Sequence, residues 1–204
     1  MHIVDGALSS PVVIAGAVAT AGGIAMGLRT LTLERIPTAG VLSAAFFVAS
    51  LIHVPIGPSS VHLILNGLAG LLLGWAAFPA LFVGLVLQAV FFGFGGLTVL
   101  GVNTFNIAMP AVLTGIIFGR LIASGSVVRG AVWAGIGGAF AIAATAGFVG
   151  LSLALTGEEY LPAVGFVFFA HIPVMVVEGI LTAFAVLLVR QAKPELFAPG
   201  GVRP

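Results

Sequence analysis

No cysteine occurs in the 204 residues, so neither a disulfide nor a thiolate metal site is available. Charge is almost as scarce: 6% of residues are Asp, Glu, Lys or Arg. Soluble domains carry roughly 25%, and a soluble chain of this size has no way to cover its surface with so few. The shortage therefore excludes a soluble globular class and implies an integral membrane protein. Lysine occurs once, as Lys193, and no glycine-lysine phosphate loop surrounds it, which excludes ATP hydrolysis by that route. A basic n-region ahead of the first apolar run is also missing, because the first cation is Arg29. This argues against a cleavable signal peptide, and the mature chain is expected to start at "MH".

What is present is hydrocarbon and glycine: 60% hydrophobic residues and 29 glycines, as expected where helices pack closely in lipid. The apolar runs are long and lack the alternation of barrel strands, so each span is read as a helix. Seven are expected, over about 11–28, 38–53, 59–75, 78–94, 104–122, 129–155 and 161–190, the last bent at Pro173. "VPIGPSS" interrupts the second and third, and "GGLTVLGVN" forms a glycine-rich loop before the fifth. The fold class is all-α integral membrane, a single transmembrane domain over 1–204 with no soluble domain and no clear internal repeat. The stretch 191–204 is polar and proline-rich and is expected to fray as a cytoplasmic tail.

The cations set the orientation. Arg29, Arg35, Arg120, Arg129, Arg190, Lys193 and Arg203 all fall on one side if seven spans start outside, while the opposite loops carry Asp5, Glu158 and Glu159. By the positive-inside rule the amino terminus is extracytoplasmic, and residues 1–10 are an outer segment.

Four histidines stand out in such a chain: His2, His53, His62 and His171. The free amine of Met1, the deprotonated amide nitrogen of His2 and the His2 imidazole form a planar three-nitrogen chelate. One in-plane position remains, and His62, in "GPSSVHLILNG" near the start of the third helix, is the best candidate to fill it. Four nitrogens in a plane suit Ni²⁺ or Cu²⁺, low-spin Co²⁺ less commonly, and Zn²⁺ poorly. His53, at the end of the second helix, reads as an interfacial or supporting group. His171 and Glu178 lie in the last span, seven residues apart on one helical face, and are functional candidates as ionisable groups in lipid. Asp5, Ser60, Gln88, Asn103 and Asn106 are candidates to orient the ligands by hydrogen bonds, although buried amides equally serve to tie helices together. Small residues recur at four-residue spacing in the first helix, at Ala15, Ala19 and Gly23, and permit close helix approach.

Three stretches, "MHIVDG", "GPSSVHLILNGLAGLLLG" and "LQAVFFGFGGLTVLGVNTFNIAMPA", resemble the CbiM/NikM family. Its members are the substrate-binding subunits of energy-coupling-factor transporters for cobalt and nickel. The resemblance covers most of the first 120 residues; the last 80 match in hydropathy alone. It implies a six-helix core with one extra amino-terminal helix. The ligands it implies are Met1, His2 and His62. The implied partners are a transmembrane coupling subunit, two ATPases and a small auxiliary membrane subunit, in the inner membrane of a prokaryote. Asp5 matches the "MHIPDG" opening more common among nickel members, whereas cobalt members read "MHIMEG" and carry an "SSSHP" segment; this leans toward Ni²⁺ over Co²⁺. Two other readings compete. One is an intramembrane hydrolase using Ser59 or Ser60 with His62 or His171, which needs a serine and its base in hydrogen-bond reach. The other is a permease acting alone, for which the intramembrane charges are too few to line a polar path.

Overall fold

The computed structural model describes residues 2–56 and 59–197, with the side chains of His53, Ile56 and Glu195 left aside. Eight α-helices and one β-hairpin follow each other. In chain order they are α1 (Ser10–Thr30), α2 (Ile36–Ala49), β1 (His53–Ile56), β2 (Ser59–His62), α3 (Asn66–Leu73), α4 (Ala77–Phe92), α5 (Leu100–Ala123), α6 (Val127–Ala154), α7 (Leu161–Ala170) and α8 (Ile172–Ala192). Five stretches are long and apolar enough to cross a membrane: Ser10–Thr30, Asn66–Phe92, Leu100–Ala123, Val127–Ala154 and Ile172–Ala192. The chain is a multi-pass membrane protein.

Local chemistry sets the helix ends. Pro11 stands in the first turn of α1 and Arg29 in its last, each where its backbone or charge fits the helix. Ser126 caps α6, its hydroxyl accepting the Arg129 N–H at 3.3 Å. Gly93, at φ 67°, closes α4 in the left-handed conformation that glycine adopts without strain. Gly74, at φ 56° and ψ −127°, breaks the 27-residue apolar stretch 66–92. A 3₁₀ turn over Gly74–Ala76 then sends α4 back alongside.

The bundle has two ends. At one end lie His2, the hairpin and the loop between α4 and α5. At the other, the Arg35 guanidinium donates to the Leu72 carbonyl at 2.8 Å, and Arg190 donates to the carbonyls of Ser126 and Gly125 at 3.0 and 3.2 Å. Between the ends, small residues let backbones touch. A Cβ on Gly70 would collide with the Ala111 carbonyl, and one on Gly67 would sit 2.9 Å from Gly138. Buried amides bridge the helices. Asn66 donates to the Ile107 carbonyl and to Thr145 Oγ1, both at 2.9 Å, joining α3 to α5 and α6.

Three expectations are corrected. The second helix stops at Ala49, and His53 opens a strand instead of ending a helix. Fourteen residues rise about 21 Å, short of the roughly 30 Å hydrocarbon layer. The third helix starts at Asn66 and not near Ser59, because Ser59–His62 pairs antiparallel with His53–Ile56. The prolines of "VPIGPSS" bias each preceding residue toward extended backbone and disfavour helix there. An all-helical chain thus gains a two-stranded sheet. The last expected span is two helices, α7 and α8, broken at His171 and not within one bent helix. The tail also departs from expectation in part, since Pro194–Phe197 forms a 3₁₀ turn with Phe197 buried; residues 198–204 lie outside the described ones.

Candidate metal centre

The amino-terminal segment is held as tightly as a strand, although no strand pairs with it. Asn103, in the first turn of α5, does the work of a neighbouring peptide. Its Oδ1 accepts the Ile3 N–H at 2.8 Å and its Nδ2 donates to the Ile3 carbonyl at 2.9 Å. The Asp5 N–H donates to the Gly95 carbonyl at 2.8 Å. The Asp5 carboxylate accepts the N–H of Thr98 at 3.1 Å and the Thr98 hydroxyl. An acid from a distant segment thereby sits at the start of α5, where a helix favours negative charge. The loop over this segment must be glycine. Gly95 and Gly96 have φ of 75° and 120°. A Cβ on Gly95 would press on Asn103 at 2.8 Å, and one on Gly96 would overlap the Asp5 carboxyl. Ile3 is fully buried beneath this clamp.

Two imidazoles meet here. His2 and His62 are each 3% exposed, and their rings stack with centroids 4.6 Å apart and planes 22° from parallel. The backbone N–H of His2 donates to Ser60 Oγ at 3.4 Å. The hairpin register places Ser60 and His62 two apart on β2, so both face the same way. His62 Nδ1 lies 2.8 Å from the Leu63 carbonyl. A carbonyl only accepts, so Nδ1 carries the proton and Nε2 presents its lone pair. That Nε2 is buried with no hydrogen-bond partner among the described residues. Burial, and nearby positive charge including His2, hold the His62 pKa well below its usual range, which keeps the ring neutral and ready to bind a metal. A cavity of about 150 Å³ lies beside the pair, lined by His2, Ser59, Ser60 and the Gly93–Gly95 loop among others.

The other candidates are placed as follows. Met1 lies outside the described residues. His53 pairs in register with His62 across the hairpin. Gln88 donates to Ser50 Oγ and joins α4 to the end of α2, while Asn106 donates to Ser152 Oγ at 3.0 Å and joins α5 to α6. Both tie helices together, and among the described residues neither is hydrogen-bonded to a histidine. His171, fully buried at the α7–α8 break, donates from Nδ1 to the Val167 carbonyl at 2.6 Å. Among the described residues, Ser59 Oγ and His62 Nε2 lack hydrogen-bond partners, and the His171 side chain bonds the Val167 carbonyl, so none of them forms a serine–histidine pair of the kind a hydrolase needs. No three His, Asp or Glu side chains gather around one point among those residues either. Sequence reasoning did not single out Asn66. It named Glu178 without a role, its signal being a lone acid in an apolar span.

The family model for CbiM, the cobalt uptake substrate-specific transmembrane region, matches residues 2–196. The chain belongs to the CbiM family. A putative metal transport protein of Haemophilus influenzae is 42% identical over 198 residues, covering 96% of both chains. The fused nickel transport protein NikMN of Rhodobacter capsulatus is 29% identical over 98% of this chain, which spans 64% of that longer protein. In three dimensions, the chain matches the crystal structure of a truncated transition metal transporter with a TM-score of 0.72. The identity is 29%, and the match covers 96% of this chain and 99% of the other. These relatives are transport proteins and not enzymes.

Proposed function

We propose that this chain is the metal-binding subunit of an energy-coupling-factor uptake transporter, and that its substrate is Ni²⁺. The Met1 amine, the amide nitrogen and imidazole of His2, and the His62 imidazole form a planar four-nitrogen set. The observation that carries this reading is the His2–His62 pair. The two rings already touch, with centres 4.6 Å apart, so ring rotation alone brings one nitrogen of each to a shared ion at about 2 Å. The free Nε2 of His62 and the clamp that Asn103 places on Ile3 support the same set. Asp5 holds the backbone that presents it, and Ser60, which accepts the His2 N–H in the metal-free protein, gives up that contact when the amide loses its proton to bind the ion.

The His2 end is extracytoplasmic, and the chain runs between the two ends of the bundle seven times, α7 and α8 counting as one pass and the short helices α2 and α3 making two of the passes without crossing the hydrocarbon layer as helix alone. The basic residues at the other end support this orientation. The ion is captured outside. A transmembrane coupling subunit, two ATPases and a small auxiliary membrane subunit drive its delivery inward. Co²⁺ is the second reading, favoured by the cobalt description of the family model; the same nitrogens accept it less readily in a plane.

The test is the metal content and visible spectrum of protein purified with an untagged amino terminus. One equivalent of Ni²⁺ with a yellow d–d band, lost in His2→Ala, is expected. One equivalent of Co²⁺ in preference to Ni²⁺ moves the assignment to the second reading. Metal that survives loss of His2 rejects the chelate.

A further inference from the structure

Glu178 lies in α8 and is fully enclosed, and nothing in metal capture uses it. Its Oε1 accepts two backbone N–H groups from a segment distant in sequence, that of Ile64 at 2.5 Å and that of Leu65 at 2.8 Å. These residues follow His62 by two and three positions. Leu65 has φ 55°, and among the described residues no other non-glycine residue has a positive φ. A leucine resists that conformation because its Cβ crowds the carbonyl oxygen. Leu65 also stands immediately before α3, where a helix leaves its first N–H groups without partners. In apolar surroundings those groups need an acceptor. The local sequence, Leu63-Ile64-Leu65, offers none from its side chains.

We propose that Glu178 is a positioning residue for the metal ligand His62: from α8 its carboxyl oxygen holds the Ile64–Leu65 turn in its left-handed form and thereby sets His62 against His2. The clamp stands on its own geometry, while its effect on metal binding rests on the capture reading above. It works by reach and not by charge. One oxygen makes both contacts, and Oε2 has no hydrogen-bond partner among the described residues. Glutamine carries an acceptor oxygen at the same length. Aspartate keeps the charge but falls one methylene short.

The test uses the full chain in detergent, with Ni²⁺ alone as the probe, in Glu178→Gln, Glu178→Asp and the double variant Glu178→Asp with Leu65→Gly. Two quantities are read: Ni²⁺ affinity by spectral titration, and hydrogen exchange of the Ile64 and Leu65 amides in metal-free protein. Glu178→Gln is expected to bind within about threefold of the parent and keep its protection, and Glu178→Asp to bind about tenfold or more weakly with faster exchange at both amides. Leu65→Gly is expected to recover part of the aspartate loss, since glycine takes the left-handed turn unaided; a merely structural acid predicts no such recovery. Weak binding by glutamine with normal binding by aspartate overturns the proposal in favour of charge. Parental exchange at Ile64 and Leu65 in Glu178→Asp overturns it whatever the affinity. If the parent protein binds Ni²⁺ independently of His2 and His62, the capture reading fails, and the exchange data alone still decide the clamp.

Discussion

The His2 end and the helical middle of this protein are both buried and both contain polar groups, yet they are built on opposite principles. In the middle, polar side chains are few; some join neighbouring helices, as Asn66 does with Thr145 and Asn106 with Ser152, and others, such as Thr114, bond within their own helix. Backbones approach through glycine, as at Gly70 against Ala111. At the His2 end the backbone is irregular, and side chains from far away satisfy it. Asn103 reaches residue 3, Asp5 reaches residue 98, and Glu178 reaches residues 64 and 65. The middle is regular helix that satisfies its own backbone in lipid. The end gives up that economy to aim backbone nitrogen and two imidazoles at one point. Irregular backbone at membrane depth survives only where protein supplies the missing partners.

That contrast gives predictions that separate binding from stability. The largest effect is expected from one extra residue placed ahead of Met1. Removing the terminal amine from its chelate should lower Ni²⁺ affinity by about a hundredfold or more, with the thermal midpoint of the metal-free protein unchanged. Titration of the visible band checks the first part and a melting curve the second. Unchanged affinity would show that the metal does not use the terminus.

Next comes Gly70→Ala, the converse case. Its Cβ would collide with the Ala111 carbonyl, a backbone atom unable to swing away. A loss of about 3 kcal/mol is expected from overpacking, read as a lower melting temperature in detergent, while the protein that remains folded binds metal normally. If Gly70→Ala melts like the parent, α3 and α5 are not in such close contact.

Asn103→Leu sits between the two. It leaves the N–H and carbonyl of Ile3 buried without partners, at about 2 kcal/mol. Because that cost falls on the segment holding His2, Ni²⁺ affinity should drop about thirtyfold and the bundle should melt nearly as before. An equal loss of stability with intact binding would reverse the assignment of Asn103. The smallest effect is expected at Gln88→Leu, where one bridge between α4 and α2 is lost. About 1 kcal/mol of stability is at stake, with Ni²⁺ affinity unchanged; isothermal titration of the variant decides whether Gln88 has any part in binding.

Much of the bundle was legible in the residues. Helix ends at Pro11, Arg29, Gly93 and Ser126 follow from local chemistry, and hydropathy alone marks the long spans. The hairpin was not legible as strands: "VPIGPSS" announces a break but not what replaces it, and the pairing of His53 with His62 is a matter of register. At the centre, His2 and His62 were legible as donors because imidazoles are rare in this chain. Asn103 and Asp5 were readable as supporting groups, but not the atoms they hold. Gln88 and Asn106 looked the same in sequence and tie helices together, because an amide's role depends on what lies opposite it. Glu178 was visible as an acid in the wrong place. Its link to Leu65 was not, since no local pattern connects residues 113 apart.

By itself the sequence determined the solvent this chain folds in, the helices that solvent demands, the side on which its cations collect and the donor atoms available for a metal. Those follow from composition and from interactions within a few residues. Only the tertiary structure decided that His2 and His62 lie face to face, that an asparagine and an aspartate hold the terminus beneath a glycine loop, and that a glutamate from the last helix holds the turn after His62. Each of these joins segments about 60 to 115 residues apart through the demand that every buried backbone group find a partner, and the packed helices alone bring those partners within reach.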